Sequence, residues 1–274
     1  ITQQEPEMFL KYPGSKKRSV DHLIKLLGNG HRLVDPFCGS AALFFKSDYK
    51  EYLLCDINAD VINLYQYVKD DPDGLITGLL ELFKNTPFCN ETYYRVRDTF
   101  NACTDIKRRS HYFVWLNQTS YNGMIRYSKK TGFNIPAGRM KNPRPDIEGI
   151  QRFHQKCCSC DVTFLCQDFT RTFQQIRPFD HVMVDPPYSP LPGQKTNFTC
   201  YVTGEFGPHQ HDQLAALCRG MSYVGARVIV CDHDTPEVRA RYKGSEFHSI
   251  SVARSVSADK SLRKPAPELR IRVA

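Results

Sequence analysis

His181-Val182-Met183-Val184-Asp185-Pro186-Pro187-Tyr188 runs from a short apolar stretch into an acid and then a stiff loop. Four other stretches close on an acid in the same way. They are Arg32-Leu33-Val34-Asp35, Tyr52-Leu53-Leu54-Cys55-Asp56, Val162-Thr163-Phe164-Leu165-Cys166-Gln167-Asp168 and Arg227-Val228-Ile229-Val230-Cys231-Asp232. Near-continuous aliphatic runs of this length read as strands buried on both faces, the pattern of a parallel sheet covered by helices. Residues 15–27, 59–69 and 209–223 have helix-like spacing and separate these runs. The alternation predicts an α/β fold with an open sheet, in which ligands bind beyond the carboxyl ends of the strands. An acid at each of those ends suits hydroxyls, amines or a cation.

The alternation breaks between about residues 60 and 145, a stretch that begins helical and becomes loop-like and rich in Tyr, Asn, Gly, Arg and Lys. Within it, the segment from Tyr127 to Pro136 reads as a hairpin turning at Lys130-Thr131-Gly132. Residues 60–145 are therefore expected to form a second domain, inserted between the second and third strands. Residues 1–59 and 146–274 would build the first. Residues 247–255 and 268–273 alternate like a final antiparallel pair.

Composition narrows the class. The chain has 274 residues, 41% hydrophobic and 12% aromatic, which is enough for a packed core and excludes wholesale disorder. A mean hydropathy of −0.46, with no apolar run near the roughly 18 residues a span needs, excludes a membrane-spanning helix. The opening Ile1-Thr2-Gln3-Gln4-Glu5-Pro6-Glu7 has neither a basic nor an apolar export segment, so a soluble cytoplasmic protein is expected. Eleven cysteines, an odd number, then read as reduced thiols. Cys157-Cys158-Ser159-Cys160 lacks the second ligand pair of a structural zinc site, and no metal is expected.

Charge points to a polyanion. Lys and Arg number 37 against 29 Asp and Glu, a formal net charge of +8. From Ile106 to Pro145 there is no acid at all, while Lys107, Arg108, Arg109, Arg126, Lys129, Lys130, Arg139, Lys141 and Arg144 fall there. Such a one-signed surface suits a phosphate backbone, although a merely solvated basic face has the same composition.

Two segments carry chemistry. In Asp185-Pro186-Pro187-Tyr188 the prolines fix their own φ and remove two N–H donors. Carbonyls and a carboxylate are left as acceptors beside an aromatic face. An exocyclic amino group of a nucleobase needs such a place, because acceptors drawing on its N–H bonds raise its nucleophilicity. As an isolated tetrapeptide the segment is equally a turn. Asp35-Pro36-Phe37-Cys38-Gly39-Ser40 follows a strand and opens a helix without the G-x-G-x-x-G fingerprint. One glycine there fits close backbone approach to an adenosyl ligand lacking a pyrophosphate, with Asp35, Phe37 and Gly39 around it. Asp56, 21 residues beyond Asp35, suits ribose hydroxyls, or else caps the helix that follows. Asp168 closes its strand on the same side.

Phe9-Leu10-Lys11-Tyr12-Pro13-Gly14-Ser15-Lys16, Asp35-Pro36-Phe37-Cys38-Gly39-Ser40, Asp56-Ile57-Asn58 and Asp185-Pro186-Pro187-Tyr188 together resemble the successive motifs of Dam-type (D12 class, alpha group) DNA adenine-N6 methyltransferases. The likeness runs from about Phe9 to Val256. It includes Tyr121-Asn122-Gly123-Met124-Ile125-Arg126-Tyr127, Phe133-Asn134-Ile135-Pro136, Asn197-Phe198-Thr199, His233-Asp234-Thr235 and Arg254-Ser255-Val256-Ser257.

The resemblance implies a Rossmann-like class I methyltransferase sheet with an inserted, mainly helical target-recognition domain carrying a β-hairpin. It implies S-adenosylmethionine as methyl donor, double-stranded DNA as partner, a monomer, and methylation of a flipped adenine within GATC, alone or beside a restriction nuclease. Flipping is required because N6 is out of reach inside a stacked duplex. Tyr12, Lys16, Asp56 and Asp185 would line the cofactor and catalytic pocket. Asp185 and the Pro186 carbonyl would accept from the adenine amino group, with Pro187 stiffening the loop and Tyr188 stacking on the base. Lys11, Tyr121, Asn122, Met124, Arg126 and Pro136 would face DNA, with Lys11 and Arg126 reading guanines and Tyr121 wedging beside the flipped adenine. Lys130 would approach phosphate alone and Arg139 would make an outer contact.

Two positions depart from the family pattern. Ala41 stands where many relatives have a second glycine, and Met140 where some have an aromatic. No Pro-Cys dipeptide occurs, so cytosine C5 chemistry is excluded. A cytosine N4 methyltransferase would more commonly carry Ser in place of Asp185. A DNA-binding relative without catalysis would not need the intact tetrapeptide, and a small-molecule methyltransferase would leave the basic insert unexplained.

Overall fold

All five acid-ended runs form strands of one sheet. The structure, a computed structural model, describes residues 8–12, 20–191, 206–252 and 266–274. Helix α1 (Val20–Leu27) leads to β1 (Arg32–Asp35), α2 (Ala42–Lys46), β2 (Glu51–Asp56) and α3 (Ala59–Asp70). Then come α4 (Pro72–Asn85), α5 (Asn90–Ala102), α6 (Ile106–Thr119), a single 3₁₀ turn at Tyr121–Gly123, and the short strands β3 (Tyr127–Ser128) and β4 (Gly132–Phe133). The chain returns through α7 (Ile147–Cys158), β5 (Asp161–Cys166), α8 (Phe169–Phe173), β6 (His181–Val184), α9 (Pro208–Tyr223), β7 (Arg227–His233), α10 (Pro236–Arg241), β8 (Glu246–Val252) and β9 (Ala266–Arg272).

The seven-stranded sheet has the order β5-β2-β1-β6-β7-β9-β8. Its pairs are parallel from β5 through β7, and β9 runs antiparallel to both β7 and β8. The chain reverses its direction of winding between β1 and β6, which opens a crevice beyond their carboxyl ends. That crevice lies between Asp35 and Asp185.

Burial corrects one expectation. β1, β6 and nearly all of β2 and β7 are buried on both faces, but β5 alternates: Val162 and Phe164 are buried, Asp161 and Thr163 exposed. The reason is its place at the sheet edge, where Phe164 packs on Tyr65 of α3 and Phe153 of α7 while the other face meets water. The strand also stops at Cys166, so Asp168 stands two residues beyond it, and Asp232 lies inside β7 rather than after it.

Two apolar cores flank the sheet. One joins Val34, Leu53, Val184 and Val230 to Leu214 of α9 and Val238 of α10. The other starts on the opposite face with Leu33, Leu54 and Ile229 and continues without a break into the helices between β2 and β5, where Leu75, Tyr93, Phe113 and Trp115 are fully buried. At about 1.5–3 kcal/mol for each large side chain, this continuity sets the insert firmly on the sheet. Helix starts are capped as their sequences dictate: Asn58 accepts from Asp60 N–H, Asp71 from Gly74 N–H, Asp105 from Arg108 N–H and Asp146 from Gly149 N–H. No helix among the described residues is long and apolar enough to cross a membrane. The ten cysteines among them are free thiols.

Candidate active site

Three acids and one glycine assemble around the crevice. Asp35 ends β1 and folds back, its Oδ1 accepting from Phe37 N–H at 3.0 Å. Asp56 ends β2; its Oδ2 accepts from Gly39 N–H at 3.0 Å and its Oδ1 from Asn58 N–H at 2.9 Å. Asp56 is thus not a helix cap, since Asn58 fills that role for α3. Gly39 is held from both sides, for its carbonyl accepts from the Tyr65 hydroxyl at 2.7 Å. Its φ of +43° and the Tyr12 ring, 3.1 Å from where a Cβ would sit, both demand glycine. Ala41 adopts φ 53°, ψ 28°, a left-handed geometry that costs an L-residue about 1–2 kcal/mol. The second glycine of related loops therefore has a conformational reason that this chain overrides.

Burial shapes the electrostatics. It pushes the Asp35 carboxyl well above the ordinary carboxylate range, an effect reinforced by the neighbouring charges of Asp185 and Asp56 and opposed by the Phe37 N–H. Burial raises Asp56 as well, against donations from Asn58, Gly39 and Ile57 N–H. Phe37 stacks on Phe169 at 5.7 Å and meets Phe206 edge-on at 5.8 Å, so an aromatic wall lines one side of the mouth. Asp168 caps α8, accepting from Thr170 N–H at 2.9 Å and Thr170 Oγ at 2.7 Å. It reaches this rim through Phe169, the first residue of the helix it caps.

Asp185-Pro186-Pro187-Tyr188 leaves β6 at the other side of the crevice, with Pro186 buried and its neighbours half-buried. A braced loop follows that no local sequence pattern announces. Ser189 N–H and Oγ–H donate to the two oxygens of Asp232 at 2.7 and 2.9 Å, and Ser189 O receives His233 Nδ1 at 2.7 Å. The Tyr188 hydroxyl donates to Glu268 Oε2 at 3.1 Å, its ring meets His233 edge-on at 4.9 Å, and Glu268 in turn accepts from the fully buried Arg270 at 3.0 Å. Burial raises the Asp232 carboxyl to about 6. The one available signal is Glu268 and Arg270 alternating with Leu269 and Ile271 in a strand whose register no sequence pattern fixes.

The residues expected to face DNA come from separate segments that Asn117 and Ser120 gather. Asn117, buried in α6, accepts from Lys11 N–H at 3.0 Å and donates to Lys11 O at 2.7 Å and Gly123 O at 3.0 Å. Lys11 packs so closely on Gly123 that a Cβ there would lie 2.5 Å from its side chain. Tyr121 N–H donates to Pro136 O at 3.0 Å, and Ser120 bridges Ala137, so the turn and the strand after the hairpin lie side by side. Tyr121, half exposed at 50%, and Asn122, with φ 54°, crown this turn; Met124 is half-buried below it. Arg126 folds across the hairpin, its Nε–H donating to Asn134 Oδ1 at 2.8 Å. Lys130 is exposed at the hairpin tip, and Pro136 and Arg139 are exposed beside it.

Two of the nine cations leave the expected one-signed face. Lys107 pairs with Asp71 at 2.9 Å and Arg109 with Asp60 at 2.5 Å, because helices α3 and α4 bring acids from outside the acid-free stretch. Arg126, Lys129, Lys130, Arg139, Lys141 and Arg144 form no ion pair among the described residues. No group of three potential metal ligands occurs among those residues. Lys16, Asn197-Phe198-Thr199 and Arg254-Ser255-Val256-Ser257 lie outside them.

Residues 12–256 match the family described as D12 class N6 adenine-specific DNA methyltransferase. The chain is 36% identical over 262 residues to the DNA adenine methylase of Escherichia coli strain K12, covering 95% of this chain and 93% of that protein. It is 37% identical over 267 residues to the DNA adenine methylase of Haemophilus influenzae, covering 95% and 91%. Among solved structures, precorrin 8w decarboxylase of Methanobacterium thermoautotrophicum superposes with a TM-score of 0.38 at 12% identity, over 94% of this chain and 89% of that one. So loose a likeness adds nothing to the topology.

Proposed function

The chain belongs to the D12 class of N6 adenine-specific DNA methyltransferases and methylates adenine in DNA, and from that premise we propose how it does so. The methyl donor is S-adenosylmethionine, the substrate is double-stranded DNA, the target adenine is flipped out of the helix, and the site is GATC. Residues 60–145 act as the target-recognition domain on a catalytic domain formed by the rest.

The crevice fits the donor. Gly39 offers bare backbone beneath the Tyr12 ring, where any side chain would collide. Asp56 accepts from Gly39 and Asn58 N–H, and a carboxylate offers about four acceptor sites, so ribose hydroxyls can still be met. Phe37 and Phe169 supply an apolar wall for an adenine ring. When bound, S-adenosylmethionine supplies an electrophilic methyl group.

The chain's own groups prepare the amine. Asp185 and the Pro186 carbonyl accept the two amino N–H bonds of the flipped adenine, drawing its lone pair out of the ring. Tyr188 stacks on the base, its hydroxyl tethered to Glu268 so that the ring cannot swing. Holding the amine in line and excluding water supplies the rate; no covalent intermediate is needed. On the other face Lys11 and Arg126 read guanines, Tyr121 fills the space beside the flipped base, and Lys130 and Arg139 meet the backbone.

One observation carries the reading. Asp185-Pro186-Pro187-Tyr188 leaves the strand beside the switch point, its charge close enough to raise Asp35 across the crevice, in a chain whose insert carries Arg126, Lys129, Lys130, Arg139, Lys141 and Arg144 without an ion pair among the described residues. The test is to methylate plasmid DNA with the purified protein and S-adenosylmethionine, then sequence it at single-base resolution. N6-methyladenine confined to GATC is expected. Methylated adenine elsewhere would overturn the target, and methylated cytosine the chemistry.

A further inference from the structure

Asp60 sits where the two halves of the site meet. Its N–H donates to the Asn58 side chain at 3.1 Å, and Asn58 N–H in turn donates to Asp56 at 2.9 Å. Its carboxylate faces the insert. Oδ2 accepts from the Tyr127 hydroxyl at 2.6 Å, and the two oxygens take Nε and Nη2 of Arg109 at 2.5 and 3.0 Å. Arg109 spends its remaining Nη1 on the carbonyls of Phe100 and Cys103, at 2.7 and 3.0 Å, and lies over the Phe100 ring at 4.0 Å. The carboxylate is buried, with 8% of the residue exposed.

The placement of Tyr127 gives this cluster its meaning. It opens the first strand of the hairpin, pairs with Phe133 across it, and directly follows Arg126. Arg126 is held by Asn134, the neighbour of Phe133 on the facing strand. Polar contacts therefore run unbroken from Asp56 through Asn58 and Asp60 to Tyr127, one residue from the guanidinium that faces DNA. The ring of Tyr127 packs whether or not its hydroxyl is present, so the hydroxyl does not serve burial. It ties the hairpin to the first turn of the helix that begins at the cofactor loop.

We propose that Asp60 and the Tyr127 hydroxyl are positioning groups that couple occupancy of the Asp56 crevice to the seating of the DNA-reading hairpin. The inference rests on the roles given above to Asp56 and Arg126. With the crevice filled, Asp56 and Asn58 are fixed, the first turn of α3 is fixed, and the hairpin is held in its seated state; with the crevice empty, the hairpin exchanges between seated and released states. Coupling of this kind is reciprocal, so DNA must tighten the adenosyl ligand by the same factor. The ratio of affinities with and without the second ligand measures the coupling directly.

The experiment measures dissociation constants for a GATC duplex with and without saturating S-adenosylhomocysteine, and for S-adenosylhomocysteine with and without the duplex. It uses the wild-type chain, Tyr127→Phe and Asp60→Asn, with melting temperatures recorded for each. In the wild type each ligand should tighten the other at least about fivefold, the lower end of ordinary coupling. In Tyr127→Phe the ratio should fall to within about twofold of one while each ligand alone still binds, with a lower melting temperature from the lost hydrogen bond to the buried carboxylate. Asp60→Asn should lose the ratio too, with a lower melting temperature because Arg109 loses its bidentate partner. A ratio unchanged in both variants, or a wild-type ratio of one, overturns the coupling and leaves the site reading intact. Failure of the wild type to bind either ligand overturns the site reading and the coupling together.

Discussion

At the carboxyl end of the sheet the acids are buried and already held by main-chain donors, whereas on the insert the cations stand in water at the ends of long side chains. Asp35 and Asp56 are about 6–7% exposed and each accepts a backbone N–H. Lys130 and Arg139 are exposed and form no ion pair among the described residues. In the insert it is the backbone that is fixed: Asn117 clamps Lys11 and Gly123, and Tyr121 is tied to Pro136. The difference suits the two proposed targets. A small adenosyl ligand rewards a preformed pocket, and every acceptor set in advance lowers the cost of binding. A duplex presents a long charged rail, met by cations that shed counterions and adjust, while a few fixed groups read bases.

The contrast breaks first at catalysis. Asp185→Ala should lower turnover by roughly 10³-fold, the scale for losing a preorganised hydrogen-bond partner, while DNA affinity by fluorescence anisotropy stays close to wild type. Near-normal methyl transfer by that variant would remove the Asp-Pro-Pro-Tyr segment from the chemistry. Tyr188→Phe keeps the ring and loses the bond to Glu268, so it should fall much less than Tyr188→Ala. Next comes the cofactor. Asp56→Ala should weaken S-adenosylmethionine about a hundredfold or more, since each charge-assisted bond is worth about 1.5–3 kcal/mol. The variant should also melt lower, because the Gly39 and Asn58 N–H groups lose their acceptor. A melting shift with unchanged calorimetric affinity would make Asp56 a loop brace and nothing more.

How much of this was legible follows the same division. Strands with Val and Leu on both faces announce themselves, so β1, β2, β6 and β7 were readable from composition alone. The sequence makes β5 look doubly buried because its alternation, visible in Asp161-Val162-Thr163-Phe164, is masked by the apolar residues that follow. Asp35, Asp56 and Asp185 were legible because they sit next to strand ends. Asn117, Asp60 and Glu268 are not, because each reaches a partner at least 49 positions away, as in Asp60 with Arg109, and only the packed elements determine which residues meet. The ion pairs of Lys107 and Arg109 escaped for the same reason.

The insert is tested by two cations with opposite expectations. Arg126→Ala should lose roughly 1–3 kcal/mol of discrimination at one base pair and relax specificity there. Lys130→Ala should weaken all sequences alike and lower the salt slope by about one unit. Asn134 already holds the Nε of Arg126, whereas Lys130 has no such anchor. Methylation of duplexes carrying every single substitution in GATC, at two salt concentrations, separates them. Equal relaxation by both variants would show that fixing a side chain in advance does not mark a base reader.

The smallest effect tests whether buried acids at the sheet end cost stability. The Asp232 carboxyl, 1% exposed, is raised by burial from 3.8 to about 6 despite donations from Ser189 and His233 N–H. A raised carboxyl means that the folded chain keeps its proton between about pH 4 and 6 while the unfolded chain releases it. Stability from this group therefore falls as pH rises through that window and stays low above it. Asp232→Asn keeps an oxygen for the Ser189 and His233 N–H groups and offers an NH₂ to Ser189 Oγ, yet cannot ionise. At pH 7.5 it should gain roughly 1–3 kcal/mol, a few degrees in melting temperature for a chain of this size, and near pH 4 almost nothing. Scanning calorimetry across pH 4–8 gives both numbers. A gain that grows with pH, with methylation preserved, would mean the carboxylate is carried at a cost that bracing Ser189 does not require. A loss at every pH would mean the charge itself holds the loop after Tyr188, and the sheet end would then depend on ionised side chains as much as the insert does.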